Sequence, residues 1–171
     1  MRPSYRLAAL LTTAFCAPAA ALDLPDCPLR QGSMDSCRPI VACMPGDGVY
    51  LVGRAIGWDR GTVSGETSTG VHCTGDWSYD GPLGTAHASF ECDDGLSGRV
   101  IFHAEDSLTG TGRAIGMTKE GARIDAWAGR AILPYLDRTG RRVDGALMCG
   151  DVPMMLSLGP AALRQAAVSS R

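Results

Sequence analysis

The chain repeats itself, and the repeat leaves few folds open to it. Gly-Arg-Ala-Ile-Gly stands at 53–57 and again at 112–116, and Gly-Arg-Ala-Ile returns at 129–132. A looser unit underlies these copies: Gly-x-apolar or small, then Gly-x-small, then a closing Gly. It fits Gly53-Arg54-Ala55, Gly61-Thr62-Val63 and Gly70. It fits Gly75-Asp76-Trp77, Gly84-Thr85-Ala86 and Gly95. It fits Gly98-Arg99-Val100, Gly110-Thr111-Gly112 and Gly121. A worn fourth copy is Gly129-Arg130-Ala131, Gly140 and Gly145. The opening glycines step by 22, 23 and 31 residues, and the extra length of the last step is Ala122–Ala128. A period of that size marks one supersecondary unit used several times.

Each unit reads as two strands with turns between them. Residues 85–92 alternate, with Ala86, Ala88, Phe90 and Cys92 on one face and Thr85, His87, Ser89 and Glu91 on the other. Asp93-Asp94-Gly95 is the turn, and the following strand places Val100, Phe102 and Ala104 on one face. Matching the two apolar faces requires an even pairing sum. Placing Glu91 opposite Arg99 sets Ala88 opposite Phe102 and His87 opposite His103, with a favourable cross-strand charge pair. In the preceding hairpin Val71, Cys73, Gly75, Trp77 and Tyr79 share a face, so Cys73 meets Cys92.

The predicted architecture is all-β: an antiparallel meander of seven or eight strands, either a twisted sheet or a small barrel. Inward positions are small (Ala55, Gly75, Ala86, Ala88, Ala104, Ala114, Ala126), which favours a flattened or tightly twisted sheet. The expected organisation is a signal peptide over 1–21, an irregular cysteine-containing arm over 22–46, the hairpin repeat domain over 47–149 and a tail over 150–171. Pro160–Val168 can form one or two helical turns.

Residues 1–21 have the make-up of a secretory signal. Arg2 and Arg6 precede an apolar run from Leu7 to Phe15, and Ala19-Ala20-Ala21 follows Pro18. The run is shorter than the roughly 20 residues of a membrane span. Phe15 before Cys16 argues against a lipoprotein signal, so cleavage is expected near Ala21. Six cysteines follow: Cys27, Cys37, Cys43, Cys73, Cys92 and Cys149. An even number in an exported chain implies up to three disulfides, whereas zinc ligation favours a Cys-x-x-Cys pair that the sequence lacks. Cys73–Cys92 follows from the hairpin. Cys27–Cys37 and Cys43–Cys149 then tie the arm, as one of 15 connectivities open to six cysteines.

Loss of two arginines with the signal takes the formal charge from −2 to −4. A mildly acidic product argues against nucleic acid or anionic lipid as partner. The expected location is the periplasm or the exterior.

The unit Cys73-Thr74-Gly75-Asp76-Trp77, Gly84-Thr85-Ala86, Asp94-Gly95 resembles MORN repeats, hairpin units built on Tyr-x-Gly-x-Trp, Gly-x-Gly and Asp-Gly. The likeness spans about 100 residues, with Cys73, Leu51 and Leu96 in place of the opening aromatic. It implies a non-catalytic sheet scaffold for protein or surface contacts. Phe90-Glu91-Cys92-Asp93-Asp94-Gly95, Val100, Phe102, Gly121-Ala122-Arg123-Ile124 and Trp127 look like periplasmic inhibitors of c-type lysozyme, also small disulfide-bonded β-barrels.

Candidate chemistry is sparse. His87, His103 and Glu105 would share the polar face in the register above and can ligate a divalent metal, against the reading of a solvated sheet face. His72 adjoins Cys73, which the disulfide removes as a nucleophile. There is no Gly-x-Ser-x-Gly and no phosphate loop, and no cofactor is expected. Alternation puts Trp127 with Arg123 and Asp125, opposite Ile124 and Ala126. An exposed Trp beside those charges is a contact or sugar-stacking surface; the other reading places Trp127 in the core. The expected function is therefore a non-catalytic binding module of the cell envelope that contacts a protein or polysaccharide through Trp127, Arg123 and Asp125. The alternatives are an inhibitor of a cell-wall hydrolase, inserting the Asp80–Gly84 turn, and a metal-binding protein or enzyme using His87 and His103.

Overall fold

The computed structural model describes residues 22–158 apart from Ser107, Arg141, Asp144 and Gly145. The expected signal over 1–21 and the helical turns at Pro160–Val168 lie outside the described residues. The strands are β1 (Leu22–Leu24), β2 (Cys37–Met44), β3 (Val49–Gly57), β4 (Arg60–Thr67), β5 (His72–Ser78), β6 (His87–Cys92), β7 (Ser97–Asp106), β8 (Thr111–Thr118) and β9 (Arg123–Ala128). Helix α1 (Ile132–Arg138) follows, then β10 (Arg142–Val143), β11 (Ala146–Cys149), β12 (Val152–Met154) and β13 (Leu156–Leu158). Among the described residues, no helix is long and apolar enough to cross a membrane.

Strands β2 to β9 form an antiparallel meander that closes into a barrel. Closure is made by β2 on β9, with Ile40 opposite Ala128 and Val41 opposite Trp127. The first closing strand comes from the segment expected to be an irregular arm. Its alternation is visible in Ile40, Ala42 and Met44 against Val41 and Cys43. The predicted three disulfides, Cys27–Cys37, Cys43–Cys149 and Cys73–Cys92, are all present.

The repeat has a structural meaning at its closing glycines. Gly70, Gly95 and Gly121 have φ of +82°, +88° and +89° and end three-residue turns of one kind. In each, the residue before the turn accepts from that glycine and donates to the residue after it, as Cys92 does with Gly95 and Leu96. All three turns lie at one end of the barrel. They also set the register. The Cys92–Leu96 closure puts Glu91 opposite Ser97 and His87 opposite Ile101, two residues from the expected pairing. An even shift preserves the faces as far as Phe102 but removes the Glu91–Arg99 and His87–His103 pairs; beyond Phe102 a bulge turns Ala104, expected inward, to the outer face opposite Arg113.

The inward glycines let neighbouring strands approach closely. A Cβ on Gly75 would lie 1.9 Å from the Ser89 carbonyl oxygen, which is backbone and cannot swing aside. Gly75→Ala is expected to lose about 1–3 kcal/mol, the usual cost of forcing atoms into a packed site. Urea unfolding measures it; an unchanged midpoint would show that the approach is not required.

Two cores result. Inside the barrel, at the end with the three tight turns, Met44, Val100, Ala114, Ile124 and Ala126 pack with Phe90 and Leu96. Leu51 and the Cys73–Cys92 bridge sit beside them. The second core lies outside the wall. Val41, Cys43, Tyr50, Val52 and Trp127 occupy the outward positions of β2, β3 and β9. They are covered by Ile132 and Leu136 of α1, by Leu147, Cys149 and Met154, and by Leu24. The Tyr50 hydroxyl accepts from the Met155 amide at 3.0 Å, and β1 pairs in parallel with β13. The expected tail over 150–171 therefore contributes β12 and β13 where it is described, and is part of this cover.

Candidate functional site: the barrel lumen

An eight-stranded barrel is just wide enough to be filled by side chains or to hold one small ligand. Here one half is filled and the other is not. A cavity of about 360 Å³ occupies the end away from the three tight turns. Its walls are small residues: Ala55, Ala86, Ala88, Gly112 and Ala128. Ala55, Ala86 and Ala88 are among the small inward residues that favoured a flattened sheet. The sheet instead closes by hydrogen bonds between β2 and β9, and the missing side-chain volume stays as empty space.

Aromatic groups give the cavity its shape. Trp77 points inward, and its indole N–H donates to the Ile56 carbonyl at 3.1 Å, which fixes the ring. Tyr79 meets Trp77 edge-to-face at 5.5 Å between ring centres. Phe90 forms the floor and Phe102 the far wall. At the mouth the lining turns polar, with Arg38, His103 and Glu105. Tyr79 is 42% exposed there, so the cavity reaches solvent.

Two loops form part of the rim. The segment between β5 and β6 carries a 3₁₀ turn at Pro82–Gly84, with Leu83 fully exposed at φ +60°. At the end of β7, Asp106 accepts from the amide and hydroxyl of Thr109 in the loop to β8 and pairs with Arg138 of α1. The Thr109 hydroxyl, followed by Arg138, holds the Asp106 carboxyl below its usual range. That network ties α1 to the rim.

Of the predicted site residues, His103 and Glu105 stand at this mouth, but neither predicted set is assembled there. Trp127 is 1% exposed under α1, so it belongs to the core and offers no stacking platform. The helix covering it carries no signal in the repeat, which is why the outward position read as surface. Arg123 does pair with Asp125 at 2.8 Å on the outer wall, and that hydrogen bond raises the guanidinium pKa. With Trp127 buried, the three do not form one exposed surface. The expected metal set is not assembled either. His87 faces Ile101 and lies 3.6 Å from Asp80, while a bulge between Phe102 and Ala104 displaces His103. Among the described residues no three His, Cys, Asp or Glu side chains are grouped to hold a metal.

The sequence reading missed the lumen and, with it, Arg38. The available signal was the inward alanines and glycines recurring on successive strands, which become a wall around empty space once β2 pairs with β9.

No family model and no curated protein matches the sequence. Among solved structures the chain is similar to a designed protein, described as a "De novo design of a fluorescence-activating beta barrel". The match has 14% identity, a TM-score of 0.43, and covers 55% of this chain and 90% of the other.

Proposed function

We propose that this chain is an exported, non-catalytic binding protein whose barrel takes one small, largely apolar ligand. The observation that carries the reading is the 360 Å³ lumen, open at one end and lined by aromatic and short apolar side chains. Its volume lies toward the small end of the roughly 300–1,000 Å³ of small-molecule sites. The three disulfides and the signal-like residues 1–21 support an oxidising location, the periplasm or the exterior. The binding-module expectation is kept, and its contact surface moves from the outer wall to the lumen.

The test uses N-phenyl-1-naphthylamine, a neutral apolar dye that brightens out of water. The expected result is saturable binding near one dye per chain. Ala88→Phe, which fills the lumen, abolishes it, while Ile101→Ser on the outer wall leaves it unchanged. Binding that ignores Ala88→Phe but is lost with Ile101→Ser would sink the proposal.

A second reading, an inhibitor of a cell-wall hydrolase, is favoured by one feature. Leu83 stands wholly exposed at a loop tip in a backbone conformation that branched residues rarely adopt. It predicts stoichiometric inhibition of a c-type lysozyme that Leu83→Asp removes. Full lysozyme activity in excess protein rejects it.

A further inference from the structure

We infer that the ligand of the lumen is an apolar acid, with its hydrocarbon body in the barrel and its carboxylate on Arg38 at the mouth. This rests on the reading of the lumen as a ligand site, and adds the class of molecule.

Arg38 begins the inward-facing series of β2, followed by Ile40 and Ala42. It lines the cavity and is half-buried. Among the described residues no carboxylate pairs with it. The lining does contain an acid, Glu105, but the two stand apart. Glu105 is opposite Gly112, Gly112 is opposite Ala128, and Ala128 is opposite Ile40, so three strand steps separate β7 from β2. Glu105 is exposed and keeps its water, whereas Arg38 has partly given up its own.

That asymmetry selects the sign of the ligand. A guanidinium is always charged, and its planar fork of donors matches a carboxylate. Held half out of water beside an apolar wall, it gains most from an anion that shares its desolvated position. A cation would meet Arg38 at the same mouth. A wholly neutral apolar molecule would leave the guanidinium unpaired and further desolvated. Beyond Arg38 the lining is almost entirely hydrocarbon, from Ile40, Val63 and the alanines to Trp77 and Phe102. A half-buried cation at the mouth, an acid there that stays in water, and no charge among those groups describe a molecule with one acidic end. The apolar body is either a flexible chain or a flat ring system, and the two are separated by experiment.

The full chain, with its disulfides formed, is titrated with decanoate, 2-naphthoate and the methyl ester of each, by displacement of N-phenyl-1-naphthylamine. At least one acid is expected to bind roughly tenfold or more tighter than its ester, the scale of one charge-assisted hydrogen bond. Whether decanoate or naphthoate shows the preference identifies the body as chain or ring. In Arg38→Leu the acid and ester are expected to converge to within about threefold, at the scale of a lost charged partner. Arg38→Lys retains part of the preference, and Glu105→Gln strengthens acid binding. Displacement by acid and ester alike in the wild type, or an acid preference that survives Arg38→Leu, overturns the inference while leaving the lumen a ligand site. Failure of the dye itself to bind overturns both.

Discussion

Replacing Cys43 and Cys149 together by alanine is expected to remove about 4–5 kcal/mol of stability, more than loss of either other disulfide. The two cysteines are 106 residues apart in sequence, against 10 for Cys27–Cys37 and 19 for Cys73–Cys92. A cross-link restricts the unfolded chain more as the loop it closes grows, and short loops of this kind are worth about 3 kcal/mol. The position of Cys43–Cys149 adds to the effect. It fastens β11 to the outer wall of β2, and β11 brings Leu147 onto the second core. Without that fastening the cover lifts from Val41, Tyr50 and Val52, exposing an apolar face of the barrel. Urea unfolding of the three double-alanine variants ranks the contributions. A smaller loss for Cys43–Cys149 than for Cys27–Cys37 would mean that the cover is held by packing alone. Binding of the neutral dye gives an independent readout. The lumen lies on the other side of the wall, so the variant should retain dye binding wherever it is still folded.

What was legible in the sequence follows from what repeats. The recurring glycines announced hairpins, the alternation in 85–92 assigned the inward face correctly, and Cys73 opposite Cys92 gave one disulfide. The expected pairing of β6 with β7 is displaced by two residues because it follows charge complementarity between Glu91 and Arg99 rather than turn geometry. A three-residue turn ending in a left-handed glycine fixes the register at Cys92 and Leu96, whatever the charges prefer. The lumen was harder to see. Small inward residues are compatible with a collapsed sheet or with a closed wall around space. Only the hydrogen bonds of β2 to β9, between strands 80 or more residues apart in sequence, decide between them. Arg38 was invisible for the same reason, since it sits in a segment that reads as an irregular arm. Trp127 was ambiguous because its strand is buried on both faces, by the lumen side and by α1. Alternation cannot identify the outer face of such a strand.

Trp127→Ala is expected to be among the most destabilising single substitutions, at about 3–5 kcal/mol. Trp127 is the largest of the fully buried side chains and packs between the barrel wall and α1. Truncation opens a cavity between two rigid layers, and hydrogen bonds along the wall limit how far β9 can relax into it. At this chain length each kcal/mol corresponds to roughly 2–4 °C in Tm, so a fall of about 10 °C follows. A solvent-exposed stacking platform behaves differently: its removal costs within about 0.5 kcal/mol and lowers affinity for a glycan. Thermal unfolding monitored by circular dichroism therefore separates the two roles of the residue. Retention on peptidoglycan by the folded variant supplies the second arm. A large fall in Tm with unchanged retention assigns Trp127 to the packing of α1 on the wall. An unchanged Tm with lost retention would return it to the surface and contradict the cover that α1 provides.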